Sequence, residues 1–337
     1  ALELRSMAQL GGVSLTDMVL IHLSYETTAA CTALVCYADG LPAIARTLDW
    51  DQAALRALTI DVDLHRGGRL LYQSTTWAGF LGVLTACKPG CFALAVNKRE
   101  DYRSENPLDS DDEEDTHQTA WPVCFLMRYV LEHCESVQEA RAELIRQPLM
   151  APTFVSLVGM RDGEGYVITR DEKPGAFRER SLLSPSTISS SALRLGSSAD
   201  LTRFESDGDC PFIVQTNEDH WKSPANDEDL TDSMPRRRRT LEWALEHAGI
   251  FRREDLFAFL RLDPVEDVAC TVYSSVLCPA FAERPLESEC FLPSDAYVER
   301  VLAIRDAEGA NSTSSFASVP RRVILLIASL FAWESAS

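Results

Sequence analysis

The stretch SYETTAACTALVCYADGLPAIARTLDWD, residues 24–51, decides how this chain is read. CTALVC (31–36) is short and apolar, YADGLP (37–42) carries turn chemistry, and AIARTL (43–48) resumes an extended pattern. The pattern predicts a β-hairpin that returns Arg46 and Asp49 to the neighbourhood of Cys31. An apolar strand accounts for an inert core thiol. It does not account for a cation and a carboxylate brought back beside it.

Outward from the hairpin, further strands are expected at LTIDVDLH (58–65), LLYQSTTW (70–77), GFLGVLTA (79–86) and CFALAVN (91–97). The acidic run RSENPLDSDDEED (103–115) reads as a solvated loop. Helices are expected in TAWPVCFLMRYVLEHC (119–134) and in SVQEARAELIRQ (136–147), whose Ser136 and Glu139 have capping-box spacing. TFVSLVGM (153–160), GYVITRD (165–171) and FIVQTN (212–217) return to strand patterns, with a Ser- and Asp-rich insertion at 181–209. Helices near 239–248 and 253–261 precede strands at CTVYSSVL (270–277) and YVERVLAI (297–304). Strands, helices and strands again predict an α+β fold in which helices cover sheets.

The chain has 337 residues and is 46% hydrophobic, enough for a sizeable core. It carries 51 acidic against 32 basic residues, a formal net charge of −19, which argues against nucleic acid as a partner. The balance suits an acidic compartment, and it equally suits simple solubility. Ten cysteines show no CxxC pair, and the six histidines do not cluster with them, so a zinc site is not expected. No cofactor is expected either. The opening ALELRSM reads as the start of a fragment or processed form, whose targeting information is not in view. The late apolar run RRVILLIASLFAW (321–333) falls short of an ordinary membrane span of about 20 residues. It is expected to be a buried element, with a lipid-surface contact or a truncated anchor as alternatives. An NST sequon stands at Asn311.

A thiol attacks a carbonyl as thiolate, or when a base takes its proton. No histidine here has a motif that recommends it as that base. A nucleophile at a chain's N-terminus can use its own α-amine instead, with a reference pKa of about 7.7–8.0. That solution requires cleavage between Ala30 and Cys31, and the small residues TTAA before Cys31 leave room for it.

The same residues carry a resemblance. Tyr25-Glu26, Cys31-Thr32-Ala33-Leu34-Val35 and Arg46-Thr47-Leu48-Asp49-Trp50 resemble the nucleophile segment of acid ceramidase and N-acylethanolamine-hydrolysing acid amidase, N-terminal-nucleophile hydrolases of the choloylglycine type. The resemblance continues in family order through STTWAGFLGVLTA, FALAVNKRE, EGYVITRD, VQTNEDHWK, RRT (238–240) and TVYSSVL, from residue 24 to about 280. The insertions 181–209 and 222–235 and the tail after 305 have no counterpart.

The resemblance implies an αββα sandwich of mostly antiparallel sheets. Residues 1–30 would be the end of a pro-segment that remains as a separate α-subunit after self-cleavage. Residues 31–305 would be the hydrolase domain, with insertions near 103–115, 181–209 and 222–235, and 306–337 a C-terminal extension. Cys31 would be the nucleophile and Asp49 would accept hydrogen bonds from its α-amine. Arg46 would favour the thiolate and Asn217 would donate to the oxyanion. Arg238 would tie the site together, and Asn97 has a site role beside Lys98, where the acid amidase carries Glu. The activity implied is hydrolysis of a lipid amide, a ceramide or an N-acylethanolamine, taken from a membrane surface or anionic lipid in a lysosomal or other acidic compartment. The alternatives are an acylase for bile salt, penicillin V or acyl-homoserine lactone-type substrates, and a catalytically silent lipid-binding relative.

Overall fold

The structure, a computed structural model, describes residues 2–25, 29–50, 54–100, 120–185, 208–221, 233–247, 251–267 and 270–290. Helices α1 (Leu2–Gly11) and α2 (Leu15–Leu23) lead to a hairpin of β1 (Ala30–Ala38) and β2 (Leu41–Asp49). Asp39 and Gly40 both take positive φ, 50° and 78°, the two-residue turn whose twist matches that of paired strands. The turn fixes the register, setting Cys31 opposite Leu48 and Ala33 opposite Arg46. Next come α3 (Ala54–Leu58), β3 (Thr59–Arg66), β4 (Arg69–Trp77), β5 (Thr85–Lys88) and β6 (Phe92–Lys98). Then follow α4 (Val123–His133), α5 (Val137–Arg146), β7 (Thr153–Val158), β8 (Gly165–Arg170), β9 (Phe177–Leu182), β10 (Gly208–Cys210) and β11 (Ile213–Gln215). Helices α6 (Ser233–Glu246) and α7 (Arg253–Leu260) and strands β12 (Thr271–Leu277) and β13 (Leu286–Cys290) complete the order.

The strands form a five-stranded sheet, β11-β1-β2-β12-β13, and an eight-stranded sheet, β10-β9-β8-β7-β6-β5-β4-β3. All pairings are antiparallel except that of β9 with β10. Alternation along the hairpin sends side chains to two different layers. Leu34, Cys36, Ala43 and Ala45 face α6 and α7, packing with Leu241, Trp243, Leu256 and Phe259. Val35, Tyr37 and Ile44 face the second sheet at Ala93, Ala95, Val158 and Val167. Beyond that sheet, Leu94, Val96, Leu157 and Ile168 belong to a core with Met127, Val130 and Leu131 of α4 and Ala140 and Leu144 of α5. The order is therefore helix, sheet, sheet, helix. Both faces of β1 are covered, which is why its sequence is apolar apart from Thr32 rather than alternating.

Some expectations shift. The strand expected at 79–86 begins only at Thr85, because Gly79 takes φ 91° and residues up to Leu84 run as an irregular loop. The helix expected over 119–134 starts at Val123, after Pro122. Ser136 Oγ accepts from the Glu139 N–H at 3.2 Å as expected, but the Glu139 carboxylate accepts from the N–H of Glu135 at 2.9 Å, one residue before the expected partner. The ends of the 181–209 insertion are strand, in β9 and β10, and residues 233–235 of the 222–235 insertion open α6. Residues 103–115, 186–207, 222–232, the strand expected at 297–304, Asn311 and the tail 306–337 lie outside the described residues. No helix among the described residues is long and apolar enough to cross a membrane.

Candidate active site

Cys31 is fully buried, and its thiol points into the layer between the sheets. Arg46 lies one pleat along on the facing strand and projects into the same layer. Its Nη2 donates to Cys31 Sγ at 2.9 Å and to Val96 O at 3.3 Å. Nη1 donates to Leu84 O at 3.2 Å and to Thr85 Oγ1. No carboxylate among the described residues hydrogen-bonds this guanidinium. Burial works against the Arg46 charge. The Cys31 thiol, the phenols of Tyr273 and Tyr25 and the Asp49 carboxylate together outweigh burial and raise its pKa. Tyr25 also reaches the thiol: its hydroxyl donates to Val96 O at 2.8 Å and lies 3.6 Å from Sγ. Burial pushes the thiols of Cys36 and Cys87 up, and that of Cys278 to about 11.

Asp49 lies three residues beyond Arg46, hence on the opposite face of β2, towards the helices. Its Oδ2 accepts from Arg236 Nη1 at 3.1 Å and from Thr47 Oγ1 at 3.1 Å, and its Oδ1 from Thr271 Oγ1 at 2.6 Å. Burial pushes the Asp49 carboxyl up, against the pull of Arg236 and of the two threonine hydroxyls. Arg236 also donates to Thr32 Oγ1 at 2.9 Å and, through Nη2, to Asn217 Oδ1 at 3.0 Å. Asn217 Oδ1 accepts the backbone N–H of Cys31 at 2.9 Å. The polypeptide is continuous through Ala30, which pairs with Asp49. The Cys31 nitrogen is held by Asn217, which Arg236 links to Asp49.

The structure brings Cys31, Arg46, Asp49 and Asn217 together and corrects the assignment of Arg238. Arg238 is exposed, whereas Arg236 and Arg237 are buried. The reason is helical phase: Ser233, Arg236, Arg237, Thr240, Leu241 and Ala244 share the buried face of α6 and Arg238 falls opposite. That i, i+4, i+8 phase of Arg236, Thr240 and Ala244 was the signal available in the sequence. Asn97 lies close by in a different role. Its Nδ2 donates to Gln215 O at 3.0 Å and Thr216 O at 3.4 Å, while its buried Oδ1 has no hydrogen-bond partner among the described residues. With its N–H groups directed at two carbonyls, Asn97 here braces the turn before Asn217 rather than offering a donor to an oxyanion. Asn217 Nδ2 donates to Lys98 O at 2.9 Å, and a primary amide has a second hydrogen to give. Arg236, Tyr25 and Thr271 are the contributors that no sequence reading singled out for a role.

No family model matches the chain. It is 28% identical over 243 residues to the acid ceramidase of Bos taurus, covering 66% of this chain and 54% of that protein. It is 29% identical over 287 residues to the N-acylethanolamine-hydrolyzing acid amidase of Oryctolagus cuniculus, covering 84% and 70%. The chain spans about half the length of the acid ceramidases it matches. Among solved structures, the Caenorhabditis elegans N-acylethanolamine-hydrolyzing acid amidase ortholog superposes with a TM-score of 0.58 at 24% identity, over 78% of this chain and 100% of that one. The chain thus has the fold of that amidase ortholog, and its sequence resembles acid ceramidase and N-acylethanolamine-hydrolyzing acid amidase.

Proposed function

We propose that this chain is a self-processing cysteine amidase that hydrolyses a lipid amide. The observation that carries the reading is the Arg46 guanidinium 2.9 Å from Cys31 Sγ while Asn217 holds the nitrogen of the same residue. In maturation, the thiol adds to the Ala30 carbonyl and the Ala30–Cys31 C–N bond breaks. The acyl group passes to sulfur as a thioester and the Cys31 nitrogen becomes an amine. Water then hydrolyses the thioester, leaving a carboxylate on Ala30 and regenerating the thiol. Residues 1–30 become the end of a separate subunit, and Cys31 opens the hydrolase domain.

In turnover, the α-amine takes the thiol proton and the thiolate adds to the substrate carbonyl. Asn217 donates to the oxyanion, a contribution of about 3–4 kcal/mol for one such donor. The α-ammonium returns the proton to the departing amine, and water releases the fatty acid from the thioester. Arg46 favours the thiolate by its charge, and Asp49 with Arg236 fixes Asn217 and the amine it holds.

The substrate class, a ceramide or N-acylethanolamine, follows the resemblance. So does an acidic, lysosomal site of action. A lipid surface is supported by α1 and α2, which expose Leu2 (80%), Leu10 (79%) and Leu20 (58%) just before the cleavage site. Intact-mass measurement after incubation near pH 5 tests the core of the reading. The wild-type chain should split before Cys31 and Cys31→Ala should not. A Cys31→Ala chain that still splits there points to an external protease. The split protein should hydrolyse long-chain amides best, since each buried methylene contributes about 0.8 kcal/mol. Preference for short-chain amides at neutral pH would put a bile salt or penicillin-type acylase first.

A further inference from the structure

We propose that Arg99 and Asp219 form a buried ionic clasp whose task is to place Asn217, and through it the Cys31 nitrogen. The consequence for chemistry rests on the amidase reading. Pairing of β11 with β1 ends at Gln215, so no strand ladder holds residues 216–221. Three consecutive residues at the end of β6 hold them instead. Lys98 O accepts from Asn217 Nδ2 at 2.9 Å, and the Glu100 N–H donates to Asn217 O at 2.8 Å. Between them Arg99 sends Nε to Asp219 Oδ1 at 2.6 Å and Nη2 to Oδ2 at 2.9 Å. Its Nη1 bonds Asp171, just past β8, so one guanidinium ties this turn to two strands of the larger sheet.

The exposures, 9% for Arg99 and 2% for Asp219, say what the pair is for. A buried ion pair adds little net stability over apolar residues of similar size, because desolvation offsets the attraction. A bidentate arginine fork, however, fixes both distance and direction. Arg237 completes the arrangement by donating to Asp219 O at 3.4 Å and His220 O at 2.7 Å from the residue beside Arg236. Asn217 is thus gripped by β6 on one side and by Arg236 on the other. A displacement of about 1 Å in such an element costs on the order of a hundredfold in rate. Arg99 and Asp219 touch no reacting atom and are positioning residues.

The test uses the full chain carrying Cys31→Ala, which remains in one piece on the present reading, and compares it with Asp219→Asn and Arg99→Lys added. Amide hydrogen exchange is followed at residue 31, over 213–221 and, as a reference, in α7. Asp219→Asn should speed exchange at residue 31 and over 216–221 at least tenfold and leave α7 unchanged. Arg99→Lys, which keeps the charge and loses the fork, should do so less. Residue 31 keeping full protection in both variants overturns the proposal, as does equal acceleration in α7, which would mean general loosening. In the Cys31 chain, Asp219→Asn should slow cleavage before residue 31 at least tenfold. A wild-type chain that never splits and hydrolyses no amide defeats the amidase reading, and the exchange result still decides the clasp.

Discussion

Replacing Arg236 by methionine, against Arg238→Met as its counterpart, separates two arginines that adjoin in sequence and differ in every physical respect. Methionine keeps most of the length and apolar stem and removes the charge. Asp49 would then sit fully buried with hydroxyl donors and only the weaker pull of Arg46 across the sheet, and it would take a proton rather than remain a poorly compensated anion. Holding a carboxyl of ordinary pKa 3.8 neutral at pH 7 costs at most about 4 kcal/mol, at 1.36 kcal/mol per unit. The same range, about 3–5 kcal/mol, is typical for removing one member of a buried pair. The sign follows from proton binding. A folded-state pKa raised further binds a proton that the unfolded chain lacks, so the variant recovers as pH falls. The deficit should shrink to under about 2 kcal/mol at pH 5 by the same constant. Exposed Arg238→Met should stay within about 0.5 kcal/mol at both pH values. Urea unfolding in a Cys31→Ala background, where the chain remains single, supplies the numbers. Equal destabilisation by the two variants, or an Arg236 deficit that grows in acid, would refute the assignment of Arg236 as the partner of Asp49.

Further outcomes are expected. Asp49→Asn keeps the shape but unpairs Arg236, so amide turnover should fall at least about tenfold, or 1.4 kcal/mol, in steady-state assays of a protein that still folds. His22 is buried on α2, with Nε2 accepting from the Leu81 N–H at 2.9 Å and Nδ1 donating to Met18 O at 2.7 Å, so burial holds its pKa below the usual 6.5. Stability from the neutral ring is complete above about pH 6.5 and is lost as pH falls. His22→Phe should therefore flatten the drop in thermal midpoint between about pH 7 and 5, and an unchanged slope would count against the ring's role. A Cβ at Gly82 would lie 2.6 Å from Cys124 Cβ and 2.9 Å from Phe80 Cε1, so Gly82→Ala should cost about 1–3 kcal/mol by denaturant titration.

The hairpin, and the nearness of Arg46 and Asp49 to Cys31, were legible because each leaves a local mark. Asp39-Gly40 declares the turn; that Arg46 and Asp49 stand on opposite faces of β2 emerges only from the structure. Asn217 was legible through its surrounding motif. Arg238 was misplaced because a run of four arginines hides its own phase: the sequence shows charge, and only the neighbouring Thr240, Leu241 and Ala244 tell which arginine points inward. Residues 79–84 look like strand by composition. The chain bends there because a helix, α4, comes so close at Cys124 that position 82 admits only a glycine. Tyr25 and Thr271 lay within the motifs that carry the resemblance but had no role read for them, since a tyrosine before an alanine run and a threonine opening a strand are each ordinary until the fold sets them beside Cys31 and Asp49.

The separation of Arg46 and Asp49 by a single sheet makes β2 a partition. Groups that tune the sulfur stand on one side, in a compartment also walled by β6 and the Thr85–Tyr273 hydroxyl pair. Groups that govern the nitrogen stand on the other, roofed by α6. On the proposed amidase reading, change on the side of the sulfur can therefore accumulate without disturbing the groups that hold the nitrogen. If the chain is such an amidase, a fold organised this way could exchange one acyl specificity for another while keeping its maturation chemistry.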